Sequence, residues 1–169
     1  MGIFIMKEIQ LSKEGKNRGK YVAFVDDEDY EYLNQFRWVA HYDGYNYYAT
    51  RTDPKTKKRI SMHRLLMKPL KGNQVDHINH FGLDNQKNNL RNCTPSENQI
   101  NAVRKKRTSK FIGVSIISKG KLKGRIVAQI SINGVKTHIG VFNNEVDAAK
   151  AYDKVAKLHH GEFAKQNFK

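Results

Sequence analysis

Apolar and polar positions divide the chain into three stretches with different periods. In the first, from about Lys7 to Leu70, Tyr21-Val22-Ala23-Phe24-Val25 is a run of aromatic and β-branched residues that predicts a strand. Asp26-Asp27-Glu28-Asp29 follows, and carboxylates suit the positive end of a helix dipole, so a short helix through Leu33 is expected. Arg37 to Tyr42 and Asn46 to Thr52 predict two strands paired around Asp43-Gly44. A basic turn from Pro54 to Lys58 and a helical turn from Ser61 to Met67, stopping before Pro69, complete the stretch.

The second stretch, from Gly72 to about Val103, opens on the short β-prone Val75-Asp76-His77-Ile78 and continues as a loop rich in Asn, Gly and Asp. Thr94 or Ser96 then caps a helix carrying Glu97, Asn98 and Asn101. The third stretch, Ser109 to Phe168, alternates cleanly. Ile126, Ala128, Ile130 and Ile132 fall on one face, with Val127, Gln129 and Ser131 on the other. Asn133-Gly134 predicts a tight hairpin. Val135, Thr137 and Ile139 continue the apolar face, and Lys136 and His138 join the polar one. Val114 and Ile116 suit an earlier strand of the same sheet. Asn144 caps a helix with Asp147 at its third position, Gly161 ends it, and Val146, Ala149, Tyr152 and Ala156 make its apolar stripe. The fold expected is α+β, ending in a three-stranded antiparallel sheet with a helix on one face and a free, basic surface on the other.

Composition sharpens this picture. With 169 residues and only 38% hydrophobic, two small units are expected rather than one large core. Lys and Arg number 31 against 16 Asp and Glu, a net charge of +15. The surplus is clustered, with no acidic residue between Asn98 and Asn144 and a dense run at Arg104-Lys105-Lys106-Arg107. Such a run attracts polyanions, because neutralised phosphates release their counterions. The one cysteine, Cys93, excludes a disulfide within the chain and a Cys-rich zinc site. Ile3-Phe4-Ile5-Met6 is too short for a signal peptide or membrane span, so a cytoplasmic protein is expected.

The candidate chemistry lies in the second stretch. Hydrolysis of a phosphodiester needs an activated water, a base and a cation that neutralises the phosphate and the leaving oxygen. Asp76-His77 offers a hard oxygen ligand beside an imidazole, and Asn98 a second oxygen ligand, enough for Mg²⁺ because it retains several waters. The dipeptide alone favours a hydrogen-bonded structural histidine.

Val75-Asp76-His77-Ile78-Asn79, Leu83-Asp84-Asn85, Asn89-Leu90-Arg91 and Glu97-Asn98-Gln99, in that order and spacing, closely resemble the HNH endonuclease motif of phage and intron homing endonucleases. Met62-His63-Arg64-Leu65-Leu66 looks like the helix that often precedes it. The resemblance implies a ββα-metal unit. It also implies Asp76 and Asn98 as metal ligands, His77 as the general base, and Asn89 as the residue that braces the loop and helps hold the histidine. Mg²⁺ or Mn²⁺ is the implied cofactor. Family members often carry a Cys-pair zinc staple, which this chain cannot form. His80 stands where related sequences usually have Gly. Asn85 and His63 are read as structural.

Phe111-Ile112-Gly113-Val114, Ile139-Gly140-Val141-Phe142, Ala148-Ala149-Lys150-Ala151-Tyr152-Asp153 and Asn167-Phe168 resemble the ethylene-response-factor (Apetala-type) DNA-binding domain. In that family the sheet enters the major groove, where a β-ribbon reads base edges. Exposed candidates by alternation include Ser115, Ile117, Lys119, Lys121, Arg125, Gln129, Ser131, Lys136 and His138. The lysines, Lys123 included, suit phosphates, Gln129 an adenine and Arg125 a guanine. A protein-binding sheet is the alternative for this segment. The organisation expected is a β-rich region and nuclease over residues 1–103 with the motif at about 72–103, a basic linker at 104–110 and a DNA-binding module at 111–169.

Together these features lead to the expectation of a site-directed DNA endonuclease, phage- or mobile-element-encoded. It would act on double-stranded DNA in the host cell as a monomer or weak dimer, without a membrane. A non-catalytic DNA-binding regulator with a degenerate nuclease fold is the main rival. An RNA-directed nuclease is disfavoured because the sheet lacks an aromatic stacking platform.

Overall fold

In the computed structural model, which describes residues 6–12, 18–101 and 109–168, the chain divides into two units, Met1–Thr94 and Pro95–Lys169. The division falls at the start of the helix that carries the last part of the motif, Glu97-Asn98-Gln99.

In the first unit, Met6–Gln10 (β1) pairs antiparallel with Val22–Asp26 (β2), from Met6 opposite Asp26 to Gln10 opposite Val22. Helix Asp27–Asn34 (α1) follows directly, with Asp27, Glu28 and Asp29 in its first turn as the acidic run predicts. Val39–Tyr42 (β3), Tyr47–Thr52 (β4) and Arg59–Ser61 (β5) form a three-stranded antiparallel sheet in that order. The turn at Asp43 closes because its carboxylate accepts the backbone N–H of Tyr45 and Asn46, each at 2.8 Å. Helix Met62–Met67 (α2) ends at Lys68, which is left-handed. Ile9, Leu11, Ala23, Val25, Leu33, Trp38, Ala49, Met62 and Leu83 form the core. The Trp38 indole N–H finds its buried partner in the Leu33 carbonyl at 2.8 Å. Strands β1 and β5 carry no periodic signal: Ile9 is the one buried residue of β1, and β5 has three residues.

Two further strands, Gln74–His77 (β6) and Leu90–Cys93 (β7), make a separate antiparallel pair in the first unit. Between them runs a loop that ends in a 3₁₀ turn at Lys87–Asn89.

The second unit opens with helix Pro95–Asn101 (α3), whose proline sits at the first helical position, where a missing N–H costs nothing. Val114–Ile116 (β8), Ile126–Ile132 (β9) and Val135–Phe142 (β10) form an antiparallel sheet with β9 central. Asn133 and Gly134 both have positive φ, 51° and 80°, as a two-residue hairpin turn demands. Helix Glu145–His160 (α4) is capped by Asn144, whose Oδ1 accepts from the Asp147 N–H at 2.8 Å, and ends at Gly161. Ile126, Ala128 and Ile130 pack under Ala148, Ala149, Tyr152 and Ala156.

Three details correct the sequence reading. Val146 is exposed, and Ala148 takes its place in the helix stripe. The outer sheet face is not wholly free, because Val127 is buried and Gln129 half-buried. A bulge between His138 and Gly140 shifts the register, bringing Val141 opposite Val127.

The end of the unit is tied by Asp153, which accepts the Asn167 and Phe168 backbone N–H groups at 2.8 and 2.9 Å. Asn167 in turn bonds both the N–H and the carbonyl of Ile112. Among the described residues no helix is long and apolar enough to cross a membrane.

Candidate active site

Strand β6 buries three consecutive residues, Val75, Asp76 and His77. Alternation along a strand sends Asp76 and His77 to opposite sides. On its side, Asp76 is the register partner of Arg91 on β7. Both Nε and Nη2 of Arg91 donate to Asp76 Oδ2, at 2.9 and 2.7 Å. A rigid guanidinium fork fixes the carboxylate in direction as well as in place.

His77 is 6% exposed. Burial pushes its pKa down from 6.5 to about 4, and the nearby Asp76 and Asp84 carboxylates oppose that shift without reversing it. At neutral pH the ring is therefore uncharged and keeps one basic nitrogen. Its Nε2 is buried without a hydrogen-bond partner. Such an atom costs about 1–3 kcal/mol unless a water, an ion or a substrate group satisfies it. The rings of His63 on α2 and Tyr48 on β4 flank it, with centroids at 5.1 and 5.7 Å. His63 is also neutral, pushed down to about 3 by burial first, then by His77 once that ring is protonated, and by the Arg64 charge.

The loop from Ile78 to Asn89 is pinned at both ends by Asn89. Its Oδ1 accepts the Asn79 N–H at 3.0 Å, its Nδ2 donates to the Asp84 carbonyl at 2.9 Å, and its own carbonyl accepts the Ile78 N–H at 2.9 Å. Asn89 thus reaches His77 through the neighbouring peptide and not through the ring. The loop is fastened to the core by β2, where Phe24 N–H donates to the Leu83 carbonyl and Asn85 N–H to the Phe24 carbonyl. Lys87 adds a bond to the Asp26 carboxylate and ion pairs to Glu28 and Asp29, which push its pKa up to about 12. His80 has φ of +63°, a left-handed backbone that glycine would adopt without strain. Asn85 is fully buried and donates to the Leu83 carbonyl at 3.0 Å. Its Oδ1 lies outside hydrogen-bonding geometry but near enough to favour a proton on His77.

The structure therefore joins Asp76, His77 and Asn89 around one hairpin. Asn98 lies on α3 in the second unit. Arg104, Lys105, Lys106 and Arg107 lie outside the described residues. Lys119 and Lys121 are exposed in the loop between β8 and β9, and Arg125 is exposed just before β9. Ser131 stands opposite Lys136, and Gln129 opposite His138, across β9 and β10.

Two residues escaped the sequence reading as parts of the site. Arg91 was visible in the motif, but its role is a matter of strand register. Tyr48 carried no signal. Among the described residues no group of three or more His, Cys, Asp or Glu is placed to hold a metal ion.

The chain is 30% identical over 159 residues to an uncharacterized HNH endonuclease of Acanthamoeba polyphaga mimivirus, a match that covers 90% of this chain and 78% of the relative. No family model matches the chain, and no solved structure does. At this identity, and with this share of both chains covered, the chain belongs to the HNH endonuclease family.

Proposed function

We propose that this protein is a metal-dependent, site-directed DNA endonuclease of the homing type. The observation that carries the reading is His77, a buried neutral imidazole with an unpartnered Nε2, beside the clamped carboxylate of Asp76 in a member of the HNH family. In this role His77 takes the proton from the water that attacks phosphorus, the bond to the 3′ oxygen breaks, and that oxygen takes a proton from solvent. The products are a 5′-phosphate and a 3′-hydroxyl. Asn89 keeps the loop, and with it the peptide after His77, in place.

A hard cation is the proposed cofactor. Asp76 and Asn98 both offer oxygen, which suits Mg²⁺ or Mn²⁺ and disfavours softer metals. Asn98 enters this set through the spacing of the motif. When bound, the cation neutralises charge on the phosphate and on the leaving oxygen.

The second unit is proposed to hold the enzyme on double-stranded DNA in the manner of the Apetala-type domain. Lys119, Lys121, Lys136 and the run at Arg104–Arg107 would bind phosphates, with Arg125, Gln129, Ser131 and His138 at base edges. The net charge of +15 supports a polyanionic partner. One centre per chain fits a monomer that nicks one strand. A gene of phage or mobile-element origin, acting in the host cell, accords with this reading.

The test is incubation of the protein with supercoiled plasmid and a genomic DNA library in Mg²⁺, followed by mapping of the cleaved ends. Metal-dependent ends with 5′-phosphates at a recurring site are expected. DNA binding without product under any divalent ion would instead mark a non-catalytic regulator.

A further inference from the structure

Three rings from three separate elements meet at the base of β6. Tyr48 comes from β4, His63 from α2 and His77 from β6. Every pair is in contact: Tyr48 and His63 at 5.6 Å and 65°, Tyr48 and His77 at 5.7 Å and 55°, His63 and His77 at 5.1 Å and 80°. Edge-to-face and tilted pairs of this kind fix the plane of a ring and not only its position.

The neighbourhood is shaped around this triangle. A Cβ on Gly82 would lie 2.6 Å from the Tyr47 carbonyl and 2.7 Å from the Tyr48 ring, so the loop after His77 presses its backbone onto that tyrosine. Asn46 Nδ2 ties the β3–β4 hairpin to the same loop through the His80 carbonyl at 2.6 Å. Helix α2 is fastened beside the hairpin by Asn92, whose Nδ2 donates to the Met67 carbonyl at 3.1 Å. His63 also buries Nδ1 without a hydrogen-bond partner. An aliphatic residue would fill that space but would offer no flat ring face to His77.

We propose that His63 and Tyr48 are positioning residues for the reaction, a two-ring wall that holds the His77 imidazole at one fixed angle for proton transfer. The proposal rests on the reading of His77 as the base. A base serves only within hydrogen-bond reach and alignment of the proton it takes, and small misplacements of reacting groups cost orders of magnitude in rate. Neither His63 nor Tyr48 is asked to touch DNA or the reacting atoms, so their loss is expected in kcat and not in KM.

The experiment uses the full chain, a plasmid carrying the mapped site, and NMR of the His77 ring Cε1–H. His63→Ala and Tyr48→Leu are each expected to lower kcat by about tenfold or more with KM within about twofold. In both, the His77 resonance is expected to broaden or split. His63→Phe and Tyr48→Phe keep the rings, and kcat is expected within about threefold of the parent with a single His77 resonance. Wild-type kcat and an unchanged His77 signal in folded His63→Ala or Tyr48→Leu would overturn the proposal. So would a loss in Tyr48→Phe as deep as in Tyr48→Leu. If His63→Ala does not fold, the Tyr48 pair decides alone. His77→Ala run in parallel separates the two levels. If it still cleaves, the assignment of the base falls and the wall with it. If it is dead while Tyr48→Leu and His63→Ala are fully active, only the wall falls.

Discussion

Lowering the pH is expected to destabilise the first unit through its two buried histidines. Burial holds His77 at about 4 and His63 at about 3, against 6.5 in a solvated chain. Between those limits the unfolded chain binds protons that the fold refuses, so stability falls as pH falls. Above pH 6.5 the contribution is constant. Below it, each histidine removes about 1.4 kcal/mol per pH unit until its folded pKa is reached. At pH 5 that is about 2 kcal/mol for each ring and about 4 kcal/mol for the pair. Domains of this size have only about 5–15 kcal/mol in total, so the effect is large.

Trp38 is the single tryptophan of the chain and is 1% exposed in the core of the first unit, which makes its fluorescence a local reporter. Urea unfolding followed by Trp38 at pH 7.5 and pH 5 measures the loss directly. His63→Phe removes one of the two titrating rings, so between these pH values it is expected to lose about 2 kcal/mol less than the parent. Carboxylates that titrate over the same range are common to both proteins and drop out of the difference. Equal losses in the two proteins would refute the reasoning.

Three further outcomes are expected. Asn89→Ala removes both side-chain bonds that pin the loop, so a loss of about 1–3 kcal/mol is expected in urea titrations together with slower cleavage. Arg91→Ala leaves the Asp76 carboxylate buried without its fork; Tm measured in a chelator should drop sharply, and added Mg²⁺ should restore more of it than in the parent, because a cation then takes over the charge. Gly113→Ala places a Cβ 2.0 Å from the Tyr152 ring at a φ of +71°, so the second unit should lose several kcal/mol or fail to fold, read by circular dichroism.

Where the chain repeats a pattern, the fold was legible. The alternation of β9, the Asn133-Gly134 turn and the Asn144 cap all follow from local chemistry and are formed as expected. Strands β1 and β5 were not legible, since the first exposes four of its five residues and the second is too short for a period. The bulge after His138 is likewise a property of pairing, not of the strand, and it moved Val141 opposite Val127.

The site divides in the same way. Asp76, His77 and Asn89 stood out because their order and spacing resemble the HNH motif. Arg91 and Tyr48 did not, because their partners lie across a strand pair or on another sheet. His63 was visible, but its contact with His77 depends on the docking of α2 beside β6, which no local signal encodes.

The central claim, that His77 is the base of a metal-dependent nuclease, is tested most directly by single-turnover cleavage of site-containing plasmid by the parent and by His77→Ala in Mg²⁺, with DNA affinity measured alongside. The account predicts a fall in rate of about 100-fold or more with affinity nearly unchanged, since the base is lost and the phosphate contacts are not. Cleavage by His77→Ala at the parent rate would contradict it.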